Sequence, residues 1–537
     1  MASGSNAIRD AAAHFQRGEF ERAASLYRLA IKRQPERAAL HYNLGSALLM
    51  SGQHVSAADA YRRAIELEPD NVKFRRNCSA ILRRLGRDEE SLALWHEAIR
   101  RQPASVEARL ELARSLLTLR RVEQAVQAFR DAASIDPGNA MALTECARVL
   151  VRVGKRDEAK AAAEQVRATA TAPGDADVVV ARLAARDGHT GEAQALLECV
   201  MSQAVDEAAR GRASLELASL LEKQGYYERA FAVVEQGQAA LFSRLSPSEQ
   251  DLAPAETITH LCRSGISADV VSRWKPPAAD GRRDPAFIVG FPRSGTTLLE
   301  QMLSAHPNLI VTDELPLVQR VKDATIDRLK LRQPYPASLS VLSERQLAIL
   351  RDTYFESAGR TIGEAALQRR IVDKSPLNTT DLCTVRRIFP DARVIVALRD
   401  PRDAVLSAFF QSFARGTPHF YGFESTARLY AMIMDLWLHY REVLGLKWIE
   451  VRYEDVVAQP EAKARAMVEF IGEPWNDAVL RYHAPEHRRY VTTPSFEDVA
   501  KPVYATSLKR WERYRPQFER VREVLEPFVR EFGYGSW

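Results

Sequence analysis

The sequence predicts two parts of different fold class: an α-helical solenoid of repeats, then an α/β domain with a central parallel sheet. In the N-terminal half a proline recurs every 34 residues, at Pro35, Pro69, Pro103 and Pro137. In the C-terminal half Phe287–Pro307 reads as an apolar strand, a glycine-bearing loop and an amphipathic helix. Further apolar runs that end in charged residues follow it, and we expect about five strands in all. The predicted boundaries are 1–245 for the solenoid, 246–284 for a connector and 285–537 for the α/β domain.

Other positions of the N-terminal half keep the same period as the prolines. Glycines mark one register position and aromatic residues another, at Gly18, Gly52, Gly86 and Gly154 (with Arg120 in one slot) and at Tyr27, Tyr61, Trp95 and Phe129. This pattern resembles the tetratricopeptide repeat, a helix-turn-helix unit closed by proline. Two weaker units (140–175 and 176–207) and a last helix pair (209–242) follow. Stacked repeats leave a concave surface, which either captures a polypeptide or belongs to a rigid arm that dimerises or covers the other domain.

Composition excludes several classes of protein. The chain has 537 residues and a net charge of only +5, so nucleic acid is not expected as a partner. Its five cysteines are scattered without metal-ligand or disulfide spacing, which suits a reducing compartment. The N-terminus has no apolar signal core and no long uncharged stretch could span a bilayer. We therefore expect a cytoplasmic protein without a membrane span.

The loop of the α/β domain predicts an anion site. The spacing Gly290-x4-Gly295-Thr-Thr nearly matches a nucleotide-binding P-loop, but Thr296 stands where a triphosphatase has its lysine. Free N–H groups and the positive end of the helix dipole at such a loop favour an anion. The candidate contacts are Arg293, Ser294, Gly295, Thr296 and Thr297.

These residues resemble the phosphosulfate-binding loop of the sulfotransferases, most closely that of tyrosylprotein sulfotransferases and their bacterial relatives. The resemblance covers about half of the chain. It implies a P-loop-like α/β fold and 3′-phosphoadenylyl sulfate as the co-substrate, with adenosine 3′,5′-bisphosphate as the product.

Two charged residues at predicted strand ends are candidates for catalysis. Glu314 lies 21 residues after Arg293, and the resemblance implies that it is the base that deprotonates the acceptor, with Asp313 as the second choice. Lys374 ends the strand before Ser375-Pro376. A cation there can neutralise the charge that develops on the leaving phosphate, as the family's lysine does.

The remaining candidates concern the nucleotide. Arg399 ends a buried strand and, with Ser407, resembles the 3′-phosphate site of the family. Tyr453 follows the last predicted strand, where the resemblance implies proximity to the adenine nucleotide and the alternative is simple packing. A C-terminal loop resembles the segment that covers the nucleotide, with Ser495 and either Lys509 or Arg510 as phosphate contacts, Arg510 being better aligned.

Together these residues predict transfer of a sulfonate to a hydroxyl acceptor, without a metal. The acceptor could be a protein tyrosine, another peptide hydroxyl or a glycan, held by the concave face of the repeats, and a homodimer is compatible with the sequence. Pro316 replaces an arginine that tyrosylprotein sulfotransferases have near their acidic peptide, which weakens that choice of substrate. The alternatives are an ATP-dependent phosphotransferase and a non-catalytic scaffold with a nucleotide-binding domain.

Overall fold

The computed structural model describes residues 2–170, 172–331, 333–413, 417–482 and 508–537. The chain divides into two compact units. Unit 1 contains Met1–Ala162, Gln319–Gln333 and Asp352–Thr361, and unit 2 contains Ala163–Val318, Pro334–Arg351 and Ile362–Trp537. The chain therefore leaves unit 1 and returns to it twice. No helix within the described ranges combines the length and apolar character that a membrane span requires.

The N-terminal part is entirely helical, as the 34-residue period predicts. Its helices are α1 (Ala2–Gln16), α2 (Phe20–Arg33), α3 (Ala38–Met50), α4 (His54–Leu67), α5 (Val72–Arg84), α6 (Asp88–Arg101), α7 (Val106–Thr118), α8 (Val122–Ile135), α9 (Ala140–Arg152), α10 (Arg156–Thr169), α11 (Asp175–Arg186), α12 (Thr190–Gln203), α13 (Glu207–Lys223) and α14 (Tyr227–Ser243). Two connector helices follow, α15 (Ala253–Gly265) and α16 (Ala268–Ser272).

The periodic residues form the core and the turns of the repeats. Tyr61 and Trp95 are fully buried, and Tyr61 packs so closely on Gly45 that a Cβ there would lie 2.7 Å from its ring. The helix-to-helix turns use a left-handed residue, which is why glycine recurs there. Arg120 occupies the same position with φ of 61°, a conformation that a non-glycine residue adopts at a cost of about 1–2 kcal/mol.

The C-terminal part alternates strands and helices. The strands are β1 (Ala286–Gly290), β2 (Leu309–Asp313), β3 (Arg370–Lys374), β4 (Arg393–Leu398) and β5 (Lys447–Arg452). The α-helices are α17 (Thr296–Ser304), α18 (Leu317–Asp327), α19 (Glu344–Ile362), α20 (Leu382–Ile388), α21 (Pro401–Phe409), α22 (Phe423–Val443), α23 (Tyr453–Ala458), α24 (Pro460–Ile471), α25 (Arg515–Phe518) and α26 (Arg522–Glu531). Short 3₁₀ turns cover Ala337–Val341, Glu364–Gln368, Pro376–Asp381, Pro418–Tyr421, Asp477–Arg481, Arg510–Tyr514 and Glu519–Val521.

The five strands form one parallel sheet in the order β2-β3-β1-β4-β5. The first strand, β1, is central, and all five of its residues are buried. One face of the sheet packs against the apolar sides of α17 and α24, through Ile288, Leu299 and Met467 among others. Because every strand runs in the same direction, the loops that follow the strands meet at one edge, where open α/β sheets bind their ligands.

Unit 1 contains a helix from the C-terminal half of the sequence. On α18, Asp327 accepts from the backbone N–H of Val55 (3.3 Å) and lies 2.9 Å from Nδ1 of the buried His54. Asp323 receives two hydrogen bonds from Arg84, at 2.8 and 2.9 Å. The helix is thus held by buried polar contacts at the turn regions of the second and third repeats.

Unit 2 contains the last helix pair of the solenoid, α13 and α14, together with the sheet. Phe231 on α14 packs among aromatic rings, with centroids 5.4 Å from Phe409 and 5.1 Å from Phe423. The amide of the buried Gln238 donates to the carbonyl oxygens of Phe409 (2.7 Å) and Gln411 (2.9 Å). This pair therefore supports the C-terminal end of α21.

Candidate active site

The loop between β1 and α17 packs closely against the backbone of β4 and the ring of Tyr453. Gly290 has φ of 143°, and a Cβ there would lie 2.5 Å from the carbonyl oxygen of Ala397. Gly295 has φ of 94° and is the N-cap of α17, and a Cβ there would lie 2.7 Å from the ring of Tyr453. Both positions require glycine, and they turn the first N–H groups of α17 towards the sheet edge, where such groups bind anions.

The predicted nucleotide residues meet around this loop. The Nε of Arg293 donates to the Oγ of Ser407 (3.1 Å), and its carbonyl oxygen accepts from Nη1 of Arg399 (3.1 Å). The guanidinium of Arg399 lies 5.0 Å from the centre of the Tyr453 ring. Adjacent parallel strands explain the convergence, because the loop follows β1, Arg399 follows β4 and Tyr453 follows β5. Two guanidinium groups, a hydroxyl and a helix N-terminus form a region suited to an anion with more than one phosphate.

The two predicted catalytic residues contact each other. The ammonium of Lys374 donates to Oε1 of Glu314 at 2.8 Å and to Oδ1 of Asp313 at 3.2 Å. The backbone N–H of Glu314 donates to the carbonyl oxygen of Lys374 (2.8 Å), and its φ of 55° is in the left-handed region. The main chain of Glu314 is thus tied to β3, while its side chain stays 41% exposed.

A third carboxylate, which the sequence reasoning missed, reaches the same lysine. Oε2 of Glu300 on α17 lies 2.9 Å from Nζ of Lys374, and both side chains are buried. Burial raises the pKa of Glu300 to about 7. Burial lowers the pKa of Lys374, but attraction to Glu300, Glu314 and Asp313 outweighs it, so the net pKa lies above its ordinary value. No local signal marks this glutamate, because most of its neighbours one turn away on the helix are polar (Thr296, Thr297 and Ser304), so the pattern predicts that it faces water.

The carboxylate of Asp400 forms an ion pair with Arg402. Its carboxylate caps α21 by accepting from the N–H of Arg402, and it receives both Nε (2.9 Å) and Nη2 (2.8 Å) of that buried guanidinium. Arg402 in turn lies 3.8 Å from the ring centre of Trp511. A carboxylate bound in this way is poorly placed to serve as a magnesium ligand, the role that a phosphotransferase would need at the end of such a strand.

Two of the three candidates in the C-terminal segment, Lys509 and Arg510, lie within the described residues. Arg510 forms a bidentate ion pair with Glu222 of α13, both contacts at 2.7 Å. Lys509 is exposed with φ of 55°. Ser495 lies outside the described residues. Arg510 therefore has an acidic partner within the protein. A phosphate contact by Ser495, Lys509 or Arg510 stays a prediction.

Comparison with known proteins agrees with the two-part organisation. Residues 285–477 match the model of the sulfotransferase family, and residues 10–72 and 81–140 match a tetratricopeptide repeat model. An uncharacterized protein of Aquifex aeolicus is 29% identical over 335 residues, which are 60% of this chain and 42% of the relative. Protein-tyrosine sulfotransferase 1 of Danio rerio is 28% identical over 269 residues, which are 46% of this chain and 71% of the relative.

Among solved structures, the chain is similar to the sulfotransferase domain of the Synechococcus PCC 7002 olefin synthase. The match has a TM-score of 0.36 at 20% identity and covers 49% of this chain and 99% of that one. The family models are the stronger finding, because each matches a defined range of the chain, 285–477 for the sulfotransferase family and 10–72 with 81–140 for the tetratricopeptide repeat. The chain therefore carries a sulfotransferase-family domain at residues 285–477, which follows tetratricopeptide repeats.

Proposed function

We propose that this protein transfers a sulfonate group from 3′-phosphoadenylyl sulfate to a hydroxyl acceptor. The observation that carries the proposal is the contact between Glu314 and Lys374 at the sheet edge that also bears the anion-binding loop. The pair supplies a base for the acceptor and a cation for the leaving group, the two functions that sulfonate transfer requires. The loop supplies a site for one tetrahedral anion without the lysine that a triphosphate needs.

In the proposed complex, the loop from Arg293 to Thr297 holds the 5′-phosphosulfate, and Arg399 with Ser407 holds the 3′-phosphate. Tyr453 lies beside Arg399 and supports the nucleotide. Ser495 and either Lys509 or Arg510 are proposed as further phosphate contacts. The contacts of Arg293 with Ser407 and of Arg399 with the loop support a single continuous site for the co-substrate.

The proposed reaction is an in-line displacement. The acceptor oxygen attacks sulfur and gives its proton to Glu314, while the bond from sulfur to the bridging phosphate oxygen breaks. Lys374 stabilises the charge that appears on the leaving adenosine 3′,5′-bisphosphate. Glu314 is the half-exposed member of the carboxylates around Lys374, so its side chain can turn to the acceptor and free one N–H of the lysine at the same time. Positioned cations and N–H groups supply the charge stabilisation, and we propose that no metal takes part.

The acceptor is proposed to be a hydroxyl of a polypeptide or a glycan. Four eukaryotic relatives of different species carry the name protein-tyrosine sulfotransferase, which favours a peptide. The concave face of the repeats is proposed to hold the acceptor or a second copy of the chain. The cytoplasm is the proposed compartment, since all five cysteines are free of disulfides.

The test is calorimetric titration with adenosine 3′,5′-bisphosphate, and with ADP in the presence and absence of magnesium. We expect metal-free binding of the bisphosphate that weakens at least tenfold in Arg399→Ala, because a charge-assisted contact to a phosphate is lost. Arg428→Ala is the matched control, since this arginine is exposed on α22. Preference for ADP with magnesium would replace the proposal with a phosphotransferase, and no binding of either nucleotide would leave a scaffold.

A further inference from the structure

Glu300 is a buried acid on a helix whose residues are all buried from Thr296 to Leu303. It lies on α17 between Leu299 and Met302, which belong to the apolar core under the sheet, and only 6% of its side chain is exposed. An ionised carboxylate in such a place is expensive unless a cation accompanies it. Lys374 is that cation, but Asp313 and Glu314 contact it as well.

The charges of this cluster do not balance if every acid is ionised. Three carboxylates around one ammonium give a net charge of −2. The cluster adjoins the anion loop, because Lys374 pairs with Ile288 of β1 and Glu300 lies on the helix that the loop begins. A doubly negative cluster in that position would repel a phosphosulfate, so the cluster needs a proton when the co-substrate binds.

Exposure indicates which carboxylate carries that proton before the reaction starts. Glu314 must be ionised to act as a base, and its exposed side chain is solvated. Asp313 is buried, but its Oδ1 accepts a hydrogen bond from the ammonium at 3.2 Å. Oε2 of Glu300 lies 2.9 Å from the same nitrogen without the geometry of a hydrogen bond. Glu300 is the most deeply buried of the three, with 6% of its side chain exposed against 8% for Asp313. Burial penalises the charged form most at that position.

We propose that Glu300 is a positioning residue whose protonated form favours nucleotide binding and whose ionisation weakens it. The neutral carboxyl keeps Lys374 in place together with Asp313 and leaves one charge fewer beside the phosphosulfate. The ionised carboxylate holds the ammonium more strongly and adds a negative charge to the site. This inference rests on the proposed function and adds a pH control to the same site.

The groups that face Glu300 agree with this assignment. Burial is the main cause that raises its pKa to about 7, Lys374 on β3 opposes the rise, and Asp313 and Glu314 at the end of β2 add to it. The carboxyl is therefore neutral below about pH 7 and ionises above it. Nucleotide binding should weaken as the pH rises through that value.

The experiment is titration of the full chain with adenosine 3′,5′-bisphosphate between pH 6 and pH 8.5. We expect the wild type to lose affinity roughly tenfold relative to Glu300→Gln across this range, the effect of one unit charge about 10 Å from an anion. The comparison with Glu300→Gln removes the contribution of the ligand, whose phosphates titrate near pH 6 in both cases. At pH 8, buffers of different ionisation enthalpy should show that wild-type binding takes up about half a proton.

Glu314→Gln separates this role from catalysis. It should lose turnover but keep a pH dependence of binding and a proton uptake, because Glu300 is still present. Both should move to lower pH, since the charge of Glu314 no longer raises the pKa of Glu300. Equal pH dependence in the wild type and Glu300→Gln, or wild-type binding at pH 8 without proton uptake, would overturn the inference while leaving the proposed function intact. Failure of the wild type to bind the bisphosphate at any pH would instead overturn the proposed function. The proton measurement uses the wild type, so it does not depend on the folding of a variant.

Discussion

Asp403 connects the candidate nucleotide site with the C-terminal segment. Its buried carboxylate accepts from the backbone N–H of Trp511 at 2.8 Å, one helical turn before Ser407. Burial raises its pKa to about 6, although Arg399 opposes the rise. At neutral pH Asp403 is therefore ionised although it is buried, and it holds the backbone at Trp511 beside α21.

This burial predicts a pH-dependent stability. The folded carboxyl binds its proton more tightly than the unfolded one, whose ordinary pKa is 3.8. Its contribution to stability is complete below that value and is lost as the pH rises to about 6, by roughly 2–3 kcal/mol. We expect Asp403→Asn to be stabilising relative to the wild type, and by about 1 kcal/mol more at pH 8 than at pH 5, in urea denaturation.

The control for this measurement is Asp391→Asn at an exposed position. It should change stability equally at the two pH values. If Asp403→Asn changed the free energy of unfolding by the same amount at pH 5 and at pH 8, the carboxyl of Asp403 would not be the titrating group.

The backbone conformation of Arg120 also lowers the free energy of unfolding. It occupies the left-handed turn position that Gly18, Gly52 and Gly86 fill in the preceding repeats. Arg120→Gly should raise the free energy of unfolding of unit 1 by about 1 kcal/mol, because it removes the steric conflict of the Cβ. Arg120→Ala deletes the same side chain but keeps the Cβ, so a gain in both variants would contradict the explanation.

At the scale of elements, the helix pair α13–α14 belongs to unit 2 together with the sheet. Phe231 packs against the rings of Phe409 and Phe423, and the ion pair of Glu222 with Arg510 adds a partly buried polar contact. These contacts hold the end of α21, the helix that bears Ser407. Support for the candidate nucleotide site thus comes from residues that the sequence assigns to the solenoid.

Phe231→Ala should therefore destabilise unit 2. Removal of a buried phenyl ring lowers the free energy of unfolding by about 3–5 kcal/mol. We therefore expect unit 2 to unfold, and bisphosphate binding to be lost, at a lower denaturant concentration than in the wild type. Tyr226→Ala, which removes an exposed aromatic residue before the same helix, is the control and should change stability by less than 0.5 kcal/mol. A small effect at Phe231 would mean that the helix pair is not needed to hold α21.

The elements that the sequence predicted well have local signals. The 34-residue period predicts the helix pairs, because each repeat places the same residues at the same positions. Apolar runs that end in a glycine loop or in charge predict the five strands, because this pattern arises within a few residues. Strand polarity then brings Arg293, Arg399 and Ser407 together. Glu300 gave no such signal, since a glutamate in an amphipathic helix usually faces water. The phosphate contact of either Lys509 or Arg510 stays a prediction. The ion pair of Arg510 with Glu222 could not be predicted, because the two residues are 288 positions apart and no local pattern relates them.

At the scale of the whole molecule, the connectivity does not follow the family boundaries. The segment from Gln319 to Gln333 lies between the candidate base and β3 in sequence, yet it packs in unit 1. Asp323 and Asp327 hold it there through Arg84 and His54. A single cut of the chain therefore cannot separate the two units without removing part of one of them.

This arrangement predicts a complementation experiment. A fragment of residues 1–162 should fold, because repeats depend on their neighbours, and a peptide of residues 317–331 should raise its thermal midpoint as the peptide concentration increases. A peptide with Asp323 and Asp327 both replaced by Asn should have little effect, since the contacts to Arg84 and His54 lose their charge. Equal shifts with both peptides would indicate apolar packing alone.

The pairing of His54 with Asp327 also has a consequence for synthesis of the chain. The two residues are 273 positions apart, so at about 5–20 residues per second the ribosome needs roughly 15–55 seconds to supply the aspartate after the histidine. During that interval the first repeats can stack, but the surface that later receives α18 stays uncovered. A nascent chain is thus open to chaperones, or to a helix of another nascent chain, at a surface that its own later sequence must cover.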